Sequence, residues 1–263
     1  MKLIVAEVHG FCSGVRRALS KAKEALRQGL PCYIYGEIVH NARVSEELRQ
    51  LGAREFSADA EPPAIIVIRA HGIAEDEEAR LAREGFTIVD ATCPVVARNK
   101  ELLRKAERPV IIGDPDHAEV LTLRSVRPDA PVVRDKEEAG KLEGSYQAVL
   151  QTTYPEGKLK EIKESQLPLT FLNDICPASR QRRRAVLDLL DEVDALVVAG
   201  DPSSANCNAL CQLARDRGKR AWLVKSKEDL SSEIRSCVKI GLTSGASTPE
   251  AVFEEVKEDL QSD

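Results

Sequence analysis

The chain has 263 residues, 43% hydrophobic and 31% charged, which excludes disordered and fibrous classes and leaves ample material for a buried core. Its net charge of −5 argues against a nucleic-acid or membrane surface as the main partner, because a phosphate backbone needs a clustered basic face. The apolar run at the N-terminus is broken by Glu7 and His9, and no run reaches membrane-spanning length, so a cytoplasmic protein is expected, or an organellar one whose transit peptide has been removed.

Strand-like runs then alternate with helix-like ones from end to end, the pattern of an α/β fold with parallel sheets. K-L-I-V-A-E-V is followed by a helix over R-R-A-L-S-K-A-K-E-A-L-R-Q, then C-Y-I-Y-G-E-I-V, a helix at S-E-E-L-R-Q-L, A-I-I-V-I-R-A, a helix at E-D-E-E-A-R-L-A-R-E and F-T-I-V-D. Gly29, Gly52 and Gly85 stand where those three helices should stop. The middle of the chain offers a helix from Val95 to Glu107, strands P-V-I-I-G, A-P-V-V-R and A-V-L-Q-T-T, a helix at E-G-K-L-K-E-I-K-E-S and strand L-T-F-L-N. The last third offers a helix over 181–192, strand A-L-V-V-A-G, a helix at N-A-L-C-Q-L-A-R-D-R, strands R-A-W-L-V and C-V-K-I-G-L, and a terminal helix from Pro249. R-Q-R-R-R at 180–184 is the one dense basic stretch, and it reads as a solvated helix face.

Three cysteines stand where a strand-like run gives way to a helical one: Cys12, Cys93 and Cys176, spaced by 81 and 83 residues. That spacing suggests three units over 1–92, 93–174 and 175–263, each delivering one thiolate to a common centre. Three thiolates leave one position open, as in a [4Fe-4S] cluster with an open apical iron. The competing reading is that they pack as small buried hydrophobes. The seven cysteines show no closely spaced pairs of a secreted disulfide framework. Cys32, Cys207, Cys211 and Cys237 read as core residues, with Cys32 and Cys237 at strand starts.

In open parallel sheets ligands bind beyond the carboxyl ends of the strands, and polar residues accumulate there. All four histidines, His9, His40, His71 and His117, follow strands. So do Gln151-Thr152-Thr153, Ser204-Ala205-Asn206 and Ser244-Gly245-Ala246-Ser247. Hydroxyls, imidazoles, amides and helix N-termini form a workable cradle for phosphate oxygens. No dinucleotide or Walker fingerprint occurs, so a bound dinucleotide or ATP is not expected. D-P-D-H-A-E-V sets Asp114, Asp116 and Glu119 about His117 as candidate proton donors, with Thr152 a possible relay.

The set G-F-C-x-G-V, I-V-H-N, R-A-H-G, D-A-T-C-P, H-x-E-V, Q-T-T, I-C-x-A-[ST] and S-G-A-S-T-P resembles the 4-hydroxy-3-methylbut-2-enyl diphosphate reductase family, the last step of the methylerythritol phosphate route to isoprenoids. The resemblance runs from residue 4 to 250. It implies three similar α/β units in a trefoil around a central [4Fe-4S] cluster, and a two-electron, two-proton removal of an allylic hydroxyl to give isopentenyl and dimethylallyl diphosphates. By that resemblance Cys12, Cys93 and Cys176 hold the cluster. His40, His71, His117, Ser204, Asn206 and Ser247 hold the diphosphate, and Glu119 and Thr152, with His117, work at the hydroxyl end. It also implies an electron donor such as a ferredoxin or flavodoxin, and a monomer.

Several positions depart from the family pattern: Ser13 for an aromatic, Ala118 for proline, Leu121-Thr122 for a pair ending in glycine, Ala205 for a small polar residue, and Pro177 and Ser179 after the third cysteine. The Ser13, Ala118 and Ala205 changes would permit a paralogous iron–sulfur reductase for another small substrate. A non-catalytic module with zinc on three thiolates and a histidine is the third reading, and it lacks the close ligand pairs of structural zinc.

Overall fold

In the computed structural model of the chain, which describes residues 1–262, the Val- and Ile-rich runs become short strands and the amphipathic runs between them become helices. The first elements are β1 (Lys2–Val5), α1 (Ser13–Leu26), β2 (Cys32–Tyr35), α2 (Ala42–Gln50), β3 (Ala53–Glu55), β4 (Ile65–Ile68), α3 (Glu75–Arg83) and β5 (Thr87–Asp90). Then come α4 (Pro94–Lys105), β6 (Pro109–Ile112), α5 (Ala118–Val126), β7 (Val132–Val133), α6 (Lys136–Ala139), β8 (Tyr146–Leu150), α7 (Glu156–Glu164) and β9 (Leu169–Phe171). The chain continues through α8 (Pro177–Leu190), β10 (Ala195–Ala199), α9 (Ala205–Asp216), β11 (Arg220–Val224), α10 (Ser232–Arg235), β12 (Lys239–Ser244) and α11 (Glu250–Gln261). Among the described residues no helix is long and apolar enough to cross a membrane.

The strands form three four-stranded parallel sheets, ordered β3-β2-β4-β5, β7-β6-β8-β9 and β11-β10-β12-β1. Read this way the three are one topology repeated. Each has a fully buried strand, Ile65–Ile68, Pro109–Ile112 or Ala195–Ala199, as expected of parallel strands covered on both faces. Each has a more exposed edge strand, β5, β9 or β1, and a cysteine follows each edge strand. K-L-I-V, which the sequence reading grouped with the first third of the chain, is therefore the edge of the last sheet. Lys2 lies opposite Lys239 and Val5 opposite Leu242. Cys93 and Cys176 likewise close the sheets that precede them.

Contacts divide the chain into two units. The terminal unit comprises Met1–Arg16, Val39–Glu47 and the residues from Pro177 on. Its sheet carries α8 and α9 on one face, where Val186, Leu189, Leu210 and Leu213 meet Leu196 and Val198. On the other face Phe253, Val256 and Leu260 of α11 meet Val197, Ile240 and Leu242. The central unit comprises Arg17–Ile38 and Leu48–Cys176 and holds the other two sheets. Leu159 and Ile162 of α7 pack on Val110, Ile112 and Leu150, while Leu103, Val120 and Leu123 pack on Ile111 and Val149. Each such fully buried aliphatic side chain contributes about 1.5–3 kcal/mol relative to an exposed one.

Three local expectations are corrected. The stretch after His117, where the sequence reading placed no helix, forms α5. Cys237 lies in the turn between α10 and β12, buried, with Sγ near the Glu233 carbonyl at 3.7 Å, and does not begin a strand. The basic run at 180–184 is not wholly solvated: Arg182 is only 2% exposed, because it falls on the buried stripe of α8 with Ala185, Val186, Leu189 and Leu190.

Candidate active site

The repeated topology gives each cysteine the same backbone setting. Cys12 N–H donates to Ala246 O at 3.1 Å, Cys93 N–H to Ala70 O at 2.9 Å and Cys176 N–H to Thr152 O at 3.1 Å. Each acceptor lies in the loop after the strand next to the edge, at or beside a residue predicted for the site: Ser247, His71 and Thr152. The three cysteines immediately precede α1, α4 and α8, where helix N–H groups favour an anionic sulfur. Val15 N–H donates to Cys12 Sγ at 3.4 Å. All seven cysteines are thiols; these three are half-buried, whereas Cys32, Cys207, Cys211 and Cys237 are buried. Cys207 is wedged at the ends of β10 and β12, where a Cβ on Gly200 or Gly245 would come within 2.4 Å or 2.1 Å of its Sγ. Burial raises its thiol pKa and pushes that of Cys211 up to about 12, as expected of core cysteines.

In the central unit, Glu119 is 0% exposed. His117 caps α5, its Nδ1 accepting Glu119 N–H at 3.2 Å, so a neutral ring there carries its proton on Nε2. The Glu119 carboxyl accepts Thr152 N–H at 3.0 and 3.1 Å and the Thr152 hydroxyl at 2.6 Å. Burial pushes its pKa up to about 7, against the opposing pull of the Thr152 hydroxyl, the Thr152 N–H and the Asn99 amide. No cation enters that balance. The His71 and His117 rings meet edge to face, with centroids 5.4 Å apart. Asp114 and Asp116, the other candidate donors, are exposed in the preceding turn, where Asp114 Oδ1 accepts Asp116 N–H at 3.1 Å.

The terminal unit gathers His40, Ser204, Asn206 and Ser247. His40 belongs here by contact, since Ser247 Oγ donates to its carbonyl at 3.1 Å and Ala42 N–H donates to Asp201 Oδ2 at 3.3 Å. Ser204 caps α9, and Asn206 Oδ1 accepts Ala246 N–H at 3.1 Å, which leaves its amide donors on the opposite side. His9, the fourth histidine, stacks on Phe253 at 4.1 Å and is explained by packing. Sequence reasoning missed Asn99, which is buried and whose amide favours the charged form of Glu119. The one available signal was an asparagine on the apolar face of a helix.

The model of the LytB protein family matches residues 3–261. The chain belongs to the LytB family. It is 36% identical to a 4-hydroxy-3-methylbut-2-enyl diphosphate reductase of Treponema denticola, over 97% of each chain. With the reductase of Methylibium petroleiphilum it shares 34% identity, covering 99% of this chain and 85% of the relative. The structure of the Plasmodium falciparum E-1-hydroxy-2-methyl-but-2-enyl-4-diphosphate reductase superposes with a TM-score of 0.91 at 27% identity, over 99% of this chain and 87% of that one.

The LytB family implies a [4Fe-4S] cluster, and the donor set suits one: half-buried thiols at helix starts, one of them already accepting a backbone N–H. Among the described residues no three His, Cys, Asp or Glu side chains are grouped as a single ion would need. Cubane ligands bind different irons and do not gather in that way. Three of the departures from the LytB pattern are absorbed locally. Ser13 is exposed, and Ala118 leaves α5 intact with its His117 cap. Thr122 is buried against Gly72, whose φ of +76° only glycine adopts readily and where a Cβ would come within 2.8 Å of Thr122 Cγ2.

Proposed function

We propose that this chain reductively dehydroxylates 4-hydroxy-3-methylbut-2-enyl diphosphate, with Glu119 supplying the proton for the leaving hydroxyl through Thr152. The products are isopentenyl and dimethylallyl diphosphates, the terminal step of the non-mevalonate pathway. The observation that carries the proton assignment is a fully buried carboxyl, with a pKa pushed up to about 7, joined to a threonine hydroxyl at 2.6 Å. A carboxyl that is half protonated at neutral pH is suited to give a proton and to be recharged between turnovers. When Glu119 is protonated, its O–H donates to Thr152 Oγ1 and the threonine proton turns toward the substrate oxygen. Thr152 N–H holds the carboxyl in place throughout.

Cys12, Cys93 and Cys176 hold the [4Fe-4S] cluster; when bound, that group supplies the electrons and a Lewis-acidic iron. A small electron carrier such as a ferredoxin or flavodoxin recharges it. The diphosphate is taken by His40, His71, His117, Ser204, Asn206 and Ser247, through neutral donors and the N-terminus of α9. Ser247 turns its hydroxyl from the His40 carbonyl toward a phosphate oxygen. Anaerobically purified protein should contain about four irons per chain, as the cluster requires, and should turn over the substrate with dithionite and a viologen. Cys12→Ala, Cys93→Ala and Cys176→Ala should each lose the cluster, and pyrophosphate should compete with substrate. Full iron content in any of the three variants refutes that ligand set.

A further inference from the structure

The strongest unexplained group is Arg182. Its guanidinium is enclosed in the terminal unit, with Nη2 donating to Gly10 O at 2.8 Å and Nη1 to Ser244 O at 3.2 Å. Nε is buried and has no acceptor. Among the described residues no carboxylate pairs with it; the ionisable neighbours that act on it are Cys12, Cys207 and Arg16. Burial lowers its pKa, and Cys12 is the first group that opposes this. An arginine does not shed its proton, so a buried guanidinium calls for an anion.

The two carbonyls it holds frame Cys12. Gly10 precedes Cys12 by two residues, and Ser244 precedes by two the Ala246 carbonyl that receives Cys12 N–H. Gly10 N–H also donates to Ser244 Oγ at 2.7 Å, closing the link. Of the two thiols, Cys207 is 0% exposed and is kept neutral by that burial. Cys12 is the half-buried one at a helix start, the setting of a thiolate ligand.

We propose that Arg182 is a positioning residue for the cluster: it ties together the two loops that fix Cys12 and is the permanent countercharge of that thiolate, favouring the reduced state of the bound group. This rests on the cluster reading given above. One-electron reduction adds one negative charge to the site, taken from the external donor, and a fixed cation nearby stabilises the product more than the reactant. Net charge around a cluster is one of the protein's levers on its potential.

The test compares wild type, Arg182→Lys and Arg182→Gln as anaerobically reconstituted full-length protein. Iron and sulfide per chain are measured, with the midpoint potential from a dithionite titration followed by electron paramagnetic resonance. Lysine keeps the charge and loses the fork; glutamine keeps neutral donors for the two carbonyls and loses the charge. Arg182→Lys should stay near the wild-type potential, and Arg182→Gln should shift to a more negative one and release iron faster to a chelator. Equal potentials in all three, or a lysine variant farther from wild type than the glutamine one, overturn the countercharge. Loss of iron from both variants while wild type retains it assigns Arg182 to loop bridging alone and also overturns it. Wild type without iron refutes the cluster reading itself, a result distinct from the others.

Discussion

The two units bury opposite charges in opposite ways. Among the described residues, the terminal unit encloses Arg182 with two backbone carbonyls and no carboxylate; the central unit encloses Glu119 with two N–H or O–H donors of Thr152 and no cation. Both groups suffer the same loss of hydration, and their chemistry makes the outcomes differ. A carboxyl relieves it by taking up a proton, which pushes its pKa up to about 7. A guanidinium has no such escape and waits for an anion. One burial produces a group whose charge can change near neutral pH, the other a group whose charge cannot.

The largest expected effect comes from removing the carboxyl's ability to change charge. Glu119→Gln should bind substrate and keep its cluster, yet turn over roughly 10²–10⁴-fold more slowly, the usual worth of a positioned acid; stopped-flow or steady-state assays with spectroscopic confirmation of the cluster decide this, and normal turnover would pass the role to Asp114, Asp116 or water. Thr152→Val comes next, because it removes the relay and one donor that favours the carboxylate. Turnover should fall by about 10–10²-fold, the lower end of what a proton-transfer group contributes, and the alkaline limb of the pH–rate profile should move to higher pH.

Stability offers a smaller effect with a definite sign. Glu119 has a raised folded pKa, so its protonated form is the one the fold prefers, and the unfolded chain binds fewer protons between pH 4.5 and about 7. Its contribution is fully present below the unfolded pKa and is lost as pH rises through the folded one. Across that window the wild type should lose roughly 3 kcal/mol from this group. Urea denaturation of Glu119→Gln over the same range should lack that decline; an unchanged slope would show that the carboxyl is charged in the fold. The smallest effect is expected from Asp114→Asn, which touches an exposed turn and should leave rate and stability within error. A large loss of rate there would break the contrast between the buried acid and its exposed neighbours.

Much of this was legible in the sequence because strand ends carry their own signal. A Val- and Ile-rich run followed by Cys, His or Ser marks the mouth of a parallel sheet, and Cys12, Cys93, Cys176, His71 and His117 all lie there. Helix α5 was harder. Its cap is a histidine, its one acidic residue is buried, and its sequence A-E-V-L-T-L-R-S-V lacks a clean polar face. The partner of β1 was not legible at all, since local periodicity says that a strand exists and nothing about which distant edge it joins. Arg182 was hidden by its neighbours: four arginines in five residues read as solvent-facing, and only the phase of α8 separates the buried one from the rest.

The pairing of β1 with β12 also bears on the order in which the protein is made. Of the described strands, the one that leads into Cys12 is made before the others, and β12, whose loop provides the Ala246 carbonyl, after them. A nascent chain therefore carries Cys12 without that acceptor while β2 to β11 are made, and contacts so distant in sequence are slow to close. Cys93 and Cys176 have their backbone acceptors already made as each sheet emerges. A chain truncated before β12 would therefore carry all three thiols with only Cys93 and Cys176 held by those backbone contacts.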